Sequence, residues 1–355
     1  MDIKIDFHWQ LTQHGTEYQI DDVLFQMLEA IEQEGSLKQA TDKLGISYRF
    51  AWGLLNKWQH LLGQPLVIME RGRGARLGIV GEKLMHAKRH LNASFSPELD
   101  NFSTELKREF EAILDHIPRD SFKIYTSHGL AVGALRELIN QQSNFKLDLH
   151  YHGSLESLKA LKAGDCHIAG FHLPIGDLRK HLMGGYLKIL NEDQHQLIYV
   201  VRRNQGLMMP TGNPKGIKGL HSLLEDDIQF INRQTGSGTR TLLDELLLES
   251  AISSDEIKGF QHEEFTHMAV AAMVASGAAD VGFGIAPIAD KFNLEFLPLV
   301  WEHYCLAVPR ILVEDPRVKA IIQLLKSNTF HQQVEDFKGY DTDRSGELVS
   351  FDEIF

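Results

Sequence analysis

Cysteine is scarce in this sequence, which has only Cys166 and Cys305, far apart in the chain. Two distant thiols supply neither a disulfide framework nor the paired spacing of a zinc site. Long apolar runs are also missing, because stretches such as 268–275 are far shorter than a membrane span. The first residues lack the basic and then apolar segments of a secretory signal. These absences predict a cytoplasmic protein with reduced thiols and no membrane partner.

Positive charge is also in short supply, since 36 lysines and arginines face 48 aspartates and glutamates and give a net charge of −12. Residues 36–90 depart from this balance, with a net charge of +7 against −19 for the rest of the chain. A basic module on an acidic body is typical of a DNA-binding domain joined to a domain that avoids DNA. A length of 355 residues predicts two or three domains.

Helix start and stop signals follow one another closely in the basic region. Ser36 and Ser47 are typical helix N-caps, and Gly35 and Gly45 are typical helix ends. Two short helices separated by Gly45, followed by a basic hairpin, are typical of a winged helix-turn-helix. The predicted elements are a strand over 3–11 with a turn at 14–15, helices over 23–34, 37–44 and 47–62, and strands over 66–70 and 75–79 around the tip 71–74.

Several short stretches in this region match a known family. They are GSL at 35–37, GISYR at 45–49, AW at 51–52 and GARL at 74–77. These stretches resemble the winged helix-turn-helix of the ModE family of molybdate-responsive regulators and, more loosely, that of LysR-type regulators. The resemblance covers about residues 1–90 and implies that this part of the chain binds double-stranded DNA.

The second helix of such a motif places its N-terminal residues at base edges in the major groove. Arg49 is expected either to read guanine with two hydrogen bonds or to contact a phosphate. Ser47 suits a helix cap better than a base contact, and Trp52 and Trp58 suit packing better than DNA contact. The wing arginines are expected at the backbone or minor groove, with a merely solvated loop as the alternative. The candidate DNA-binding residues are Ser36, Ser47, Tyr48, Arg49, Trp52, Arg71, Arg73 and Arg76.

The chain beyond the wing changes from helical to alternating strand and helix signals. Residues 82–117 favour helix, and Ser94, Ser96 and Pro97 predict a break or kink over 92–99. This segment is expected to link the domains and to pair two subunits. The alternation from residue 122 predicts a mostly parallel sheet. Its predicted strands are 122–126, 146–150, 167–171, 196–201, 229–232, 280–284 and 304–308, and its helices are 129–142, 155–164, 239–250, 267–276 and 318–325.

A second set of stretches matches another family in the expected order. They are TSH at 126–128, HGS at 152–154, GFH at 170–172, GNPKG at 212–216, NRQTGSGTR at 232–240, EFTH at 264–267 and GYD at 339–341. These stretches resemble the PBP-like substrate-binding domain found fused to such helix-turn-helix modules and related to periplasmic molybdate and tungstate receptors. The implied fold is multidomain: an α+β winged helix-turn-helix and then an α/β two-lobed type II periplasmic-binding-protein-like domain. The expected domains are 1–82, a linker or dimerisation segment 83–120, and 121–355, with lobe 1 at 121–203 and 303–355 and lobe 2 at 204–302.

Hydroxyl groups and glycines follow three predicted strands at points where helices begin. Donors at a positive helix N-terminus hold oxyanions, and open α/β sheets bind ligands at the carboxyl ends of their strands. Each serine or threonine alone is more often a plain cap, and TGSGT lacks the lysine of a P-loop. The three histidines either line the pocket or are structural, and Arg240 is favoured over Arg233 as a ligand partner. The candidate ligand-binding residues are Ser127, His128, Ser154, His172, Arg233, Thr235, Gly236, Ser237, Gly238, Thr239, Arg240, Thr266 and His267.

The sequence therefore predicts a ligand-responsive, DNA-binding transcription regulator that works as a homodimer or higher homo-oligomer on an operator. The resemblance implies a small oxyanion effector, molybdate or tungstate. Two alternatives stay open: a regulator that senses formate or another small organic effector, and an enzyme or binding protein related to the molybdenum cofactor.

The sequence offers little for catalysis or for a bound metal. It contains no nucleophile–base pair and no cofactor fingerprint, so neither an enzyme nor a cofactor is predicted. Residues 341–352 resemble a calcium loop, but its last position is Asp352 rather than glutamate, and no clear helix is predicted after it. We therefore predict no metal site there.

Overall fold

The computed structural model describes residues 3–70, 74–113, 121–143 and 145–355. The chain forms two compact units, one of residues Ile5–Asn92 and one of Ala93–Phe355 together with the first residues. No helix in the described ranges combines the length and the apolar character needed to cross a membrane.

The first unit is a winged helix-turn-helix preceded by a hairpin. The expected strand over 3–11 starts only at Trp9, because a turn at His14 and Gly15, both at positive φ, pairs it with the strand that follows. The wing strands pair antiparallel, as predicted. The elements are β1 (Trp9–Gln13), β2 (Thr16–Ile20), α1 (Asp22–Glu34), α2 (Leu37–Leu44), α3 (Tyr48–Leu62), β3 (Val67–Glu70) and β4 (Gly74–Leu77).

Local signals explain the helix boundaries of this unit. The Ser36 hydroxyl accepts a hydrogen bond from the Gln39 N–H at 3.4 Å, and the Ser47 hydroxyl accepts one from the Phe50 N–H at 3.1 Å. Each hydroxyl satisfies an N–H group that has no partner within its helix. Gly45 ends α2 at a φ of 67°. The helices pack around the fully buried Trp58.

A backbone hydrogen bond joins the wing to the turn between α1 and α2. The Ala75 N–H donates to the Gly35 carbonyl oxygen at 2.7 Å. Gly74 has a φ of +100°, and a Cβ at this position would lie 2.1 Å from the same oxygen. Only glycine permits both this backbone conformation and this close approach.

A single long helix, α4 (Ile79–Ile113), follows the wing, and the boundary between the units falls within it. The helix continues through residues 92–99, so the predicted break is wrong, and the alternative of a kink there stays a prediction. Pro97 has no N–H to give to the Ala93 carbonyl four residues earlier. The Thr266 hydroxyl donates to that carbonyl instead, at 2.5 Å. A residue 173 positions away therefore satisfies the acceptor that the proline leaves free.

The second unit is built on one large twisted sheet with helices packed on it. The sheet order is β10-β9-β11-β8-β12-β7-β5-β6, with β13 and β14 also pairing with β8. Its strands are β5 (Phe122–Thr126), β6 (Leu147–Tyr151), β7 (Ile168–Pro174), β8 (His195–Pro210), β9 (Phe230–Arg233), β10 (Glu263–Glu264), β11 (Val281–Ile285), β12 (Leu294–Pro309), β13 (Tyr340–Asp341) and β14 (Leu348–Val349).

The helices of this unit mostly follow the parallel strands, as the alternation predicted. They are α5 (Leu130–Gln142), α6 (Ser154–Ala163), α7 (Arg179–Leu187), α8 (Gly238–Glu249), α9 (His267–Ala275), α10 (Ala286–Lys291), α11 (Pro316–Leu325), α12 (Asn328–Glu335) and α13 (Phe351–Ile354), with 3-10 turns at Leu220–Leu224, Ser254–Glu256 and Arg310–Leu312.

Two strands of sixteen residues, β8 and β12, run through the middle of the sheet and through both lobes. One end of this antiparallel pair carries β7, β5 and β6, and the other carries β11, β9 and β10. The expectation of a mostly parallel sheet is therefore incomplete, because the central pair is antiparallel to its neighbours β7 and β11. The fold class, a winged helix-turn-helix followed by a two-lobed PBP-like domain, is confirmed.

Candidate ligand cleft and DNA-binding surface

Lobe 1 brings three of the predicted ligand residues together at the carboxyl ends of its strands. Ser127 follows β5, Ser154 begins α6 and His172 lies in β7. The Ser127 hydroxyl lies 3.2 Å from His172 Nδ1, and the His172 N–H donates to the Ser154 hydroxyl at 3.2 Å. The ring of Tyr304 stacks on His172 with a centroid distance of 4.3 Å.

Arg203, which was not among the residues predicted from the sequence, lies beside these residues. It borders a small cavity, which is also lined by Ser127, Gly129, His172, Tyr304 and Tyr340. Arg203 is 5% exposed and forms an ion pair with Glu302, which is 3% exposed. The only signal in the sequence was the polar run 202–205 inside an apolar stretch.

Lobe 2 contributes the N-termini of α8 and α9. The Ser237 hydroxyl caps α8 by accepting from the Arg240 N–H at 3.1 Å, and Thr266 caps α9. The Thr239 hydroxyl lies 3.3 Å from His267 Nε2. The other ring nitrogen, His267 Nδ1, is buried and has no hydrogen-bond partner in the described part of the chain. His267 is therefore a polar group that a ligand is able to satisfy.

The glycine-rich loop over residues 235–239 is mostly exposed. Thr235 is exposed, and both its N–H and its hydroxyl donate to the Glu263 carboxylate, at 3.1 and 2.8 Å. Gly236 and Gly238 are exposed as well. In this loop, Thr239 is the buried residue that meets the cleft histidines.

The two arginines of lobe 2 differ in their partners. Arg240 donates to the carboxylates of Asp244 at 2.9 Å and Glu263 at 2.7 Å. Arg233 donates to the Phe265 carbonyl oxygen at 2.9 Å and to the Gln234 amide oxygen at 3.2 Å, both uncharged groups. Arg240 thus has carboxylate partners and Arg233 has uncharged ones, and the preference for Arg240 as the ligand partner stays a prediction.

The cleft histidines are held in their neutral form. Burial lowers the pKa of His128, His172 and His267 below the usual histidine value. The Arg233 and Arg203 charges further lower the pKa of His267. Since neutral imidazoles each offer one donor and one acceptor, the charge of the cleft comes from its arginines and carboxylates.

These lowered pKa values predict that the ligand-binding unit loses stability on acidification. The unfolded chain takes up protons at its histidines near pH 6.5, whereas the folded cleft does so only at a lower pH. Stability is therefore expected to fall between about pH 7 and pH 5. Urea unfolding across this range measures the slope, which we expect to be shallower in His267→Gln. An equal slope in both proteins contradicts the assignment.

No group of three or more metal-ligand side chains occurs among the described residues. In the segment that resembled a calcium loop, the Asp341 carboxylate accepts a hydrogen bond from the Arg202 guanidinium. The Ser345 hydroxyl donates to the Val200 carbonyl oxygen at 2.5 Å. These side chains hold the segment against β8.

The start of α3 presents an exposed aromatic and basic face. Tyr48 and Trp52 stack with nearly parallel rings, and Arg49 beside them is exposed. Trp58 is in the core, as expected, whereas Trp52 is 44% exposed, so the packing interpretation is wrong for Trp52.

The remaining predicted DNA-binding residues have different positions. Ser36 and Ser47 cap their helices. Arg76 is exposed on β4, and Arg71 and Arg73 lie outside the described residues.

Comparisons with known proteins give one family and several partial matches. The model of the PBP superfamily domain matches residues 135–326. The uncharacterized protein YvgK of Bacillus subtilis is 34% identical over 199 residues, 56% of this chain and 64% of YvgK. The molybdenum transport protein ModE of Azotobacter vinelandii is 31% identical over 91 residues, 24% of this chain and 34% of ModE. This chain therefore spans less than two thirds of either relative.

A solved structure of similar length is the full-length LTTR LysG of Corynebacterium glutamicum with bound effector Arg. LysG is 16% identical in sequence to this chain, and the TM-score of the two structures is 0.41. The match covers 89% of this chain and 99% of LysG.

Proposed function

The chain belongs to the PBP superfamily, and we propose that it is a DNA-binding transcription regulator that senses a small anion in its two-lobed domain. One observation carries the proposal. Helix α4 runs without a break from the wing into the ligand-binding unit, where the Thr266 hydroxyl at the start of α9 binds its Ala93 carbonyl. The helix that begins after the wing is thus bonded, within the second unit, to the start of α9. A DNA operator also implies a cytoplasmic location.

The coupling works through contacts of α4 with both lobes. Thr266 belongs to lobe 2. In lobe 1 the Asn101 amide donates to the Tyr151 carbonyl at 3.1 Å and accepts from the Tyr151 N–H at 2.9 Å. A ligand that favours one separation of the lobes therefore favours one position of α4. Such a ligand shifts DNA affinity only if it binds the two states with different affinity.

Two anion classes are candidates for the effector. Molybdate or tungstate is suggested by the similarity to ModE, whose name associates it with molybdenum. Formate or another small carboxylate suits the same hydroxyl, imidazole and guanidinium donors. Each class meets the helix N-termini of the cleft, which favour negative charge.

The direct test is specific DNA binding and its response to these anions. We expect the purified full chain to select one sequence from a library of double-stranded oligonucleotides. Fluorescence anisotropy then measures its affinity with and without molybdate, tungstate, sulfate, phosphate and formate. If no sequence is retained above background, the regulator proposal is contradicted. If a sequence is selected but no anion changes the affinity of the protein for it, the anion-sensing part is contradicted.

Arg49→Ala is expected to weaken binding to the selected sequence. Loss of a bidentate guanine contact costs about 1–3 kcal/mol and relaxes specificity at one base pair, whereas loss of a phosphate contact weakens all sequences and lowers the salt slope by about one. Anisotropy titrations at several salt concentrations separate the two. Lys319→Ala, an exposed change on the other unit, is the control. Unchanged affinity in Arg49→Ala rules out a role for α3 in DNA contact.

Part of α4 presents an apolar stripe that fits a second copy of the chain. Phe95, Leu99, Phe102, Leu106 and Phe110 repeat at intervals of three and four residues, which places them along one side of the helix. Phe102 is 60% exposed. Exposed large apolar side chains in a row are typical of an interface.

We expect wild-type protein to be a dimer and Phe102→Asp to shift it to monomer, because the change places a charge in the stripe. Sedimentation velocity measures the mass. Ile311→Asp, at an exposed residue outside α4, serves as the control and is expected to leave the mass unchanged. A dimeric Phe102→Asp protein excludes α4 as the pairing surface.

A further inference from the structure

The solvent-facing side of α3 carries no negative charge. One side of the helix is apolar and buried, and consists of Ala51, Leu54, Leu55 and Trp58. At about 3.6 residues per turn, a line of exposed residues runs along the opposite side, and we call it the outward line: Arg49, Gly53, Asn56 and His60. No aspartate or glutamate occurs between Asp42 and Glu70. This side of α3 therefore complements a polyanion, whereas a second copy of it carries charge of the same sign.

Gly53, in the middle of the outward line, is a residue that the helix itself disfavours. Glycine is less favourable in a helix than any residue except proline, because it loses the most backbone freedom on folding. Another helical glycine, Gly81 in α4, has a reason within the chain, since a Cβ there would lie 2.2 Å from the Leu66 carbonyl oxygen. A Cβ at Gly53 would meet nothing within 4 Å in the described part of the chain beyond its immediate neighbours. Packing within the protein therefore does not explain this glycine, whereas a partner that lies against the helix does.

Two aromatic rings lie beside the outward line. Tyr48 and Trp52 are 49% and 44% exposed, and their rings are nearly parallel with centroids 6.5 Å apart. Trp52 directly precedes Gly53, so an exposed apolar surface adjoins the open position. The apolar group that base pairs present in the major groove is the C5-methyl of thymine. Contact with that methyl removes apolar surface of both partners from water.

We propose that α3 lies closest to DNA at Gly53, and that this position, with Trp52 beside it, receives the C5-methyl group of a thymine in the operator. The inference rests on the proposed function and adds one base to the recognised sequence. Arg49 and Asn56 lie about one turn before and after Gly53 on the same line, where they face the neighbouring base pairs. A side chain at position 53 would hold all of these groups away from the bases.

The first test is Gly53→Ala in the full chain, which is expected to raise stability and lower DNA affinity. Alanine favours the helix, so the urea midpoint rises. Tryptophan fluorescence follows it, because three of the four tryptophans lie in the winged unit. Anisotropy with the selected DNA is expected to show an affinity about ten-fold lower, because the added methyl group overfills the contact.

Gly184→Ala is the matched control for this variant. Gly184 is an exposed glycine within α7, and a Cβ there also meets nothing within 4 Å. We expect its replacement to leave the DNA affinity unchanged. An unchanged affinity in Gly53→Ala overturns the proposal. A lower mass of Gly53→Ala in sedimentation velocity also overturns it and assigns this side of α3 to a second copy of the chain.

The second test replaces the thymines of the selected sequence by uracil, one at a time. Uracil lacks the C5-methyl and keeps the hydrogen-bonding groups of thymine. At one position we expect the wild-type affinity to fall about four-fold, the effect of exposing one buried methyl group. At the same position uracil is expected to raise the affinity of Gly53→Ala, because the methyl removed from the DNA makes room for the one added to the protein.

The outcomes of the uracil series separate this inference from the proposed function. If no uracil lowers the wild-type affinity, or if each uracil has the same effect on both proteins, the thymine contact is overturned while the regulator proposal stands. If the wild-type chain selects no DNA sequence at all, the regulator proposal and this inference both fail.

Discussion

Replacing Glu302 by alanine is expected to lower the free energy of unfolding of the ligand-binding unit by about 3–5 kcal/mol. The change leaves the Arg203 guanidinium buried without its carboxylate and removes the acceptor of the Gln205 amide. The two residues lie on β12 and β8, the strands that run through both lobes. The loss of stability therefore arises at the centre of the sheet. Urea unfolding followed by the fluorescence of Trp301, next to Glu302, measures it.

Two further variants separate the buried charge from other causes. Glu314→Ala breaks an exposed ion pair with Lys319 and is expected to cost less than about 1 kcal/mol. The double variant Arg203→Met with Glu302→Leu removes both charges and is expected to recover most of the loss. A cost below about 1 kcal/mol in Glu302→Ala contradicts a buried pair.

Gly74→Ala is expected to destabilise the winged unit by about 3 kcal/mol or more and to abolish specific DNA binding. An alanine strains the backbone at a φ of +100°, and its Cβ would lie 2.1 Å from the Gly35 oxygen. Relief requires the wing to move away from the turn that begins the helix-turn-helix, with loss of the Ala75 hydrogen bond. Calorimetry and anisotropy with the selected DNA measure the two effects.

Gly45→Ala is the matched control for this change. Gly45 also has a positive φ, of +67°, but a Cβ there meets nothing within 4 Å. We expect a cost of about 1 kcal/mol from the backbone alone, with DNA binding retained at low temperature. Equal losses in the two variants contradict the close approach of the wing to Gly35.

The sequence predicted those features that local signals determine. Ser36, Gly45 and Ser47 fix the helix boundaries through bonds to residues at most a few positions away. The strand and helix alternation predicted most elements of the second unit, and the resemblance implied its two lobes. The failures depend on distant residues. The helix continues past Pro97, and the carbonyl that this proline leaves free accepts a hydrogen bond from Thr266, far along the chain.

Local sequence signals also do not predict the length of the central strands. Positions 202–205 are polar, and the predicted strand ended at residue 201. In the sheet, however, Arg203 and Gln205 are buried and contact Glu302 from a strand nearly a hundred residues away. The pocket residue Arg203 was missed for the same reason. The placement of the other candidate residues in DNA contact or ligand contact stays a prediction.

The order of synthesis separates the two units in time. Asn92, which ends the winged unit, leaves the ribosome about 200 residues before Leu294, which begins β12. At about 5–20 residues per second this interval lasts roughly 10–40 s. Neither lobe has its central strand pair until β12 is made. A nascent chain of the proposed regulator therefore carries a complete helix-turn-helix before it has a cleft, so no ligand of the cleft acts on it during that interval.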